Sequence, residues 1–259
     1  GVKATVTSGA PAGSITATVS GDTNGTFSGG GGFLSLTHDV TGPTVGKCSF
    51  ATGSGDFSRS ICWFDLAGYN STTAASANGQ SMQQTLLDGY VLSYTIRATS
   101  TSTNVAAWAL PTYTAAFLGN NGAGYVNNYQ GIAGKPALYQ QSAGKTILTL
   151  DGISLKDAAG LVVKGFALVG ADAESTDSGE SITWNSDKTI TSIGPLGNSC
   201  AKALVMSPDN LQATCNPGPV ANKTGAAIIY SQDPGTFSQT MVGSGLQAVA
   251  FGVMASGLQ

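Results

Sequence analysis

The sequence predicts an all-β fold, a β-sandwich of the jelly-roll type with few short helices, on three observations. Short segments alternate apolar and polar residues again and again. Turn pairs such as Asp88-Gly89 and Pro234-Gly235 separate them. Helical periodicity is hard to find anywhere in the 259 residues. Many short strands with this punctuation indicate a sandwich or jelly roll.

Taken in order, "SITATVSG" places Ile15, Ala17 and Val19 on one face. A run of glycines at 29–32 is a flexible break. It sets an N-terminal strand-forming arm of residues 1–46 apart from a main domain of residues 47–259. "GYVLSYTIRA" has Val91, Ser93 and Thr95 on one face and Leu92, Tyr94 and Ile96 on the other. "KTILTLDGISL" sets Leu148 and Leu150 against Ile147 and Thr149, and Asp151-Gly152 reads as a turn before Ile153 and Leu155. "GFALVGADAE" is nearly continuous in apolar residues, as an inner strand is. A helical turn fits best near 207–213. "TGAAIIYSQ", "FSQTMVG" and "LQAVAFGVMA" supply the last strands. Residues 109–140 resist a strand reading, and loops of that length are often functional. This long aromatic loop holds Tyr113, Phe117, Tyr125, Tyr129 and Tyr139.

Charged residues are 10% of the chain and the net charge is -3, against about 25% charged in an ordinary soluble domain. The 11 basic residues are scattered, so a nucleic-acid partner, which needs clustered Lys and Arg, is excluded. No apolar run reaches the ~20 residues of a membrane span. Solubility by hydroxyls and amides suits a secreted β-protein. The cysteines, Cys48, Cys62, Cys200 and Cys215, allow three pairings. Local pairing, Cys48 with Cys62 and Cys200 with Cys215, closes two short loops, each worth about 3 kcal/mol in the chain-entropy account. Metal binding is disfavoured, since there is no CxxC and the one histidine is His38. Disulfides imply an oxidising compartment.

The chain gathers carboxylates in "ADAESTDSGESITW", with Asp172, Glu174, Asp177 and Glu180. "STDSG" is turn chemistry, so the stretch is a hairpin whose acids meet at one loop end. Asp172 and Glu174, after the apolar run, are expected to be partly buried; Asp177 and Glu180, at the turn, to be more exposed. Four readings remain open: acceptors that hold loops by their N–H groups, acceptors for sugar hydroxyls or a protein partner, a calcium site built from the same four acids, and a glycosidase pair. Tyr113, Phe117 and Tyr139 suit pinning the long loop to the sandwich, whereas Tyr125 and Tyr129, amid Asn and Gly, suit a ligand. Trp63 and Trp184 sit in strand contexts and read as core. No G-x-S-x-G elbow precedes a helix, and a triad would need His38. Asn24, Asn70 and Asn222 head formal glycosylation sequons, which are frequent by chance here.

"CWFDLAGYN", "DGYVLSYTI", "ALPTYTAAFLGN", "GIAGKPALYQ", "ALVGADAESTDSGESITW" and "GLQAVAFGV" follow one another in that order. Over about residues 60–254 the chain resembles the lectin-like non-repetitive domain of CshA-type fibrillar surface adhesins. The resemblance implies a lectin-like β-sandwich on a bacterial cell surface. It also implies attachment to a host matrix glycoprotein, fibronectin in the best-known streptococcal case, or to glycans.

The expectation is therefore a secreted, non-enzymatic adhesin domain without a resident cofactor. Its ligand-binding residues are expected among Tyr113, Tyr125, Tyr129, Tyr139, Asp172, Glu174, Asp177 and Glu180. The rival is a structural subunit of a surface filament, in which the arm pairs with a neighbouring copy by strand exchange.

Overall fold

The computed structural model describes residues 27–29, 34–36, 42–102, 105–112, 114, 118, 123–177, 179–193, 200, 204–215 and 226–255. Tyr113, Phe117, His38, Asn24, Asn222 and the segment "SITATVSG" lie outside the described residues. The chain divides into two units, Gly1–Thr41 and Gly42–Gln259. In the first, β1 (Phe27–Gly29) pairs antiparallel with β2 (Leu34–Leu36), with glycine-rich sequence between them. The glycine run thus falls inside the first unit.

The second unit opens with β3 (Thr44–Lys47), β4 (Ser49–Phe50), β5 (Cys62–Trp63) and the one-turn helix α1 (Ser71–Ala74). The middle of the chain forms β6 (Gln80–Thr85), β7 (Val91–Ser100), β8 (Val105–Trp108), α2 (Ala123–Asn128), β9 (Ala137–Gln140), β10 (Gly144–Lys156) and β11 (Val162–Val163). Then come β12 (Phe166–Asp172), β13 (Ser181–Ser186), β14 (Ile190–Ser192), β15 (Leu204–Met206), β16 (Gln212–Cys215), β17 (Ile228–Gln232), β18 (Thr236–Gly243) and β19 (Gln247–Ala255). The first sheet runs β15-β16-β13-β18-β10-β7-β6-β3, with β11 on β10. The second runs β14-β17-β12-β19-β5-β4, and β9 pairs with both β19 and β8. Pairings are antiparallel except β3 with β6. Because Thr44–Lys47 is an edge strand of the first sheet, it belongs to the second unit rather than to the arm.

Alternation places the core. Leu92, Tyr94 and Ile96 of β7, Leu148 and Leu150 of β10, Phe166 and Leu168 of β12, Ile182 and Trp184 of β13, and Val249, Phe251 and Val253 of β19 are buried in one cluster between the sheets. Trp63, also buried, faces the other side of the second sheet. β12 is buried along its whole length between β17 and β19, as its apolar run requires. Gly170 lies in its middle, and a Cβ there would stand 2.8 Å from both Phe237 Cζ and Trp184 Cδ1. Gly170→Ala is therefore expected to cost roughly 1–3 kcal/mol by overpacking. Urea denaturation measures it, and an unchanged midpoint would contradict this packing.

Two local expectations are corrected. Asp151-Gly152 is not a turn: β10 continues through it, with a register shift between Asp151 and Ser154 against β7. The inward residues change from Leu148 and Leu150 to Ile153 and Leu155, an odd step, so one extra residue must bulge out to keep both pairs inside. Residues 207–211 are the turn of the β15–β16 hairpin and not a helical turn. Asp209 Oδ1 accepts from Ser207 Oγ and from the Leu211 N–H, and Asn210 takes φ 56°. Both cysteine pairs are local, Cys48–Cys62 and Cys200–Cys215, with Cα atoms 5.3 and 4.8 Å apart.

Candidate functional site

Residues 109–140 do not form a bare loop. The Leu110-Pro111 peptide is cis, α2 occupies the middle and β9 ends the segment in the second sheet. The segment covers the outer face of that sheet. There β12 and β19 present alanines, Ala171, Ala248 and Ala250, which leave room for large rings from the covering segment. Tyr129 fills that room. It is 1% exposed, its ring centroid is 5.2 Å from that of Trp63, and its hydroxyl donates to the Asp172 carbonyl at 2.6 Å. Burial pushes its phenol well above the ordinary value. The expectation that Tyr129 offers a face to a ligand is corrected accordingly. Tyr139 is also buried, whereas Tyr125 is half-buried at the edge of the same cluster.

The exposed aromatic at this face is one that sequence reasoning did not single out. Trp108 closes β8 with 41% of its surface exposed, its ring 5.5 Å from that of Tyr139. The signal was available, since Val105 and Ala107 point inward and so turn residue 108 outward.

The acidic stretch closes one end of the sandwich. Asp172 is the last residue of β12 and follows the inward parity of Phe166 and Leu168. Its Oδ1 accepts from the Glu174 N–H at 3.0 Å and its Oδ2 from Thr176 Oγ1 at 2.7 Å. Glu174 Oε2 accepts from the Ser175 N–H at 2.7 Å. Glu180 shares the parity of Ile182 and Trp184. Its Oε2 folds back to accept from the Asp177 N–H at 2.8 Å, and the Glu180 N–H donates to the Asp177 carbonyl. Asp172, Glu174 and Glu180 are 0%, 5% and 6% exposed, and Asp177 is half-buried. The expected exposure of Glu180 is thus corrected: inward parity and the back-folded hydrogen bond bury it. Gln247 Nε2 reaches Thr176 Oγ1, tying the turn to β19, and the buried Ser175 hydroxyl has no hydrogen-bond partner among the described residues.

Removal from water dominates the electrostatics. Burial, with the neighbouring carboxyls, pushes Asp172 up to about 7 and Glu174 up to about 9, against the lowering effect of their hydrogen bonds. Burial likewise raises Glu180 to about 7. The ion pair among the described residues is Arg97–Asp151, so no described cation offsets the cluster. Nor, among the described residues, do three Asp, Glu, His or Cys side chains converge as a metal site requires. The three carboxyls are turned inward, onto the turn itself. Their hydrogen bonds run to the N–H groups of Glu174, Ser175 and Asp177 and to the Thr176 hydroxyl.

The two segments singled out in the sequence meet. Besides Tyr129 to Asp172, Thr112 Oγ1 donates to the Ala173 carbonyl at 3.2 Å. These two hydrogen bonds tie the 109–140 segment to the acidic turn.

The second unit is thus a two-sheet all-β sandwich with two local disulfides, Cys48–Cys62 and Cys200–Cys215. Residues 59–254 match the family described as surface adhesin CshA non-repetitive domain 2, and the chain belongs to that family. Membership makes it a surface adhesin domain with a cell-surface location, in a family that is generally non-enzymatic. No curated protein and no solved structure matches the chain. No helix of the described residues is long and apolar enough to cross a membrane.

Proposed function

We propose that this domain is a non-enzymatic adhesion module of a bacterial cell surface that binds a host matrix glycoprotein or its glycans. The observation that carries the reading is the exposed Trp108, set beside the segment that Tyr129 and Thr112 tie to the acidic turn. An exposed indole supplies flat apolar area, and a half-buried tyrosine such as Tyr125 adds a hydroxyl; together they suit sugar rings and glycopeptides. In this reading Asp172, Glu174 and Glu180 are positioning residues, and the half-buried Asp177 and the exposed Gly179 meet the ligand. Tyr139 supports the Trp108 ring, and Tyr113 belongs to the same segment. Family membership supports the adhesive role, and the inward carboxyls support binding without chemistry.

The test is attachment to surfaces coated with fibronectin and other matrix glycoproteins, intact or enzymatically deglycosylated. Trp108→Ala and Tyr125→Ala are expected to weaken attachment about tenfold or more, as the loss of central aromatic contacts does, while each variant keeps a cooperative melting transition. Attachment indifferent to both changes, or polysaccharide turnover that disappears in Glu174→Gln, would overturn the reading.

A further inference from the structure

We infer that the disulfide-closed loop of residues 48–62 holds a second binding subsite, for a single uncharged pyranose ring. This rests on the adhesive reading above and extends its surface across α2. An open cleft of about 270 Å³ is lined by Gly53, Ser54, Gly55, Asp56, Ser58 and Arg59. That volume has room for one pyranose ring.

The loop is built to keep its shape. Cys48–Cys62 closes it. The Thr52 N–H donates to the Gln130 carbonyl at 2.7 Å and the Gly55 N–H to the Asn127 carbonyl at 2.8 Å, at the C-terminal end of α2. Ser54 Oγ donates to Asn127 Oδ1, and Ser58 Oγ to the Gly53 carbonyl at 2.8 Å. Only glycine fits where the loop rests on α2: a Cβ on Gly53 would lie 2.0 Å from the Val126 carbonyl oxygen, and one on Gly55 2.6 Å from that of Asn127.

On this fixed frame stand groups that the fold leaves unused. Asp56 and Arg59 are exposed, three residues apart, and neither forms an ion pair or side-chain hydrogen bond with a described residue. They stand in a chain where charges are only 10% of residues. The N–H groups of Ser54, Asp56 and Phe57 also donate to no described residue. Phe57 exposes 39% of its surface and Val126, at the foot of the loop, 37%. A carboxylate that accepts, and a guanidinium and amides that donate, are what the vicinal hydroxyls of a sugar require; Phe57, between the lining residues Asp56 and Ser58 in the chain, is the exposed ring next to them. One acid beside one base leaves the cleft without net charge, which matches an uncharged ring.

The experiment is amide chemical-shift mapping on the ¹⁵N-labelled full chain. The probes are methyl glycosides of galactose, glucose, mannose and N-acetylglucosamine, with N-acetylneuraminic acid as the charged comparison. At least one uncharged glycoside is expected to shift the amides of residues 53–59. Asp56→Asn and Arg59→Gln are each expected to weaken that response about tenfold, as the loss of a charged hydrogen bond does, with unchanged melting temperature. Silence of residues 53–59 toward every uncharged glycoside would overturn the subsite. So would a response to N-acetylneuraminic acid alone, or one indifferent to both variants. If wild-type attachment to glycoproteins persists and depends on Trp108 while residues 53–59 stay silent, only this inference fails. If wild-type attachment itself is absent, the adhesive reading fails.

Discussion

Moving the protein from about pH 8 to about pH 5 is expected to raise its melting temperature, because its folded state then holds protons that the unfolded chain releases. Asp172 and Glu180 titrate near 7 in the fold and Glu174 near 9, above ordinary carboxyl values of 3.8 and 4.5. Between about pH 4 and these folded values the native state binds more protons than the unfolded state, so stability falls as pH rises. The contribution is fully present below the unfolded values and is lost as pH passes through 7 and then 9. One such carboxyl costs about 1.4 kcal/mol per pH unit across its window. Two units cost about 3 kcal/mol, or roughly 6–12 °C in melting temperature for a chain of this size. Asp172→Asn should flatten the dependence. The amide still accepts from the Glu174 N–H, and its NH₂ can donate to a Thr176 hydroxyl turned to accept. Melting curves of wild type and variant across this range measure the effect; a wild-type melting temperature that rises with pH over the range would contradict the buried, uncompensated cluster.

Replacing Cys48 and Cys62 together by alanine is expected to lower stability by about 3 kcal/mol through the chain entropy of the loop alone. The loss reaches further than the loop. Thr52, Ser54 and Gly55 hold the C-terminal end of α2, so loosening 48–62 also loosens the cover over the second sheet. Hydrogen exchange should quicken first at Thr52, Gly55, Tyr129 and Gln130. A loss below about 1 kcal/mol by urea denaturation would mean that packing, not the disulfide, fixes this loop.

The strands were legible where one face is buried and one solvated. The alternation of Val91 to Ile96 assigns inward and outward faces residue by residue, and the apolar run of β12 marks an inner strand. The short spacing of the cysteines also favoured the pairs found. The bulge at Asp151 was not legible, because Asp-Gly is equally good chemistry for a hairpin turn; only pairing with β7 on one side and β18 on the other decides it. Tyr129 looks exposed beside Asn127 and Asn128, yet its burial is set by alanines more than forty residues away in β12 and β19. Glu180 follows turn residues, but its parity with Ile182 and Trp184 draws it inward. The outward side of Trp108 follows from its parity with Val105 and Ala107, a pattern that four residues carry only faintly in the sequence. The meeting of the 109–140 segment with the acidic turn is a tertiary fact carried by Tyr129 and Thr112, which no local pattern announces.

The most direct measurement of the central claim is a hydrogen-exchange footprint of the domain attached to a fibronectin-coated surface, compared with the free domain. The account predicts new protection at residues 105–112, 123–130 and 173–181, with the strands of the first sheet unchanged. Protection confined to the first sheet or its edges, with Trp108 and the acidic turn exchanging as in the free domain, would contradict it.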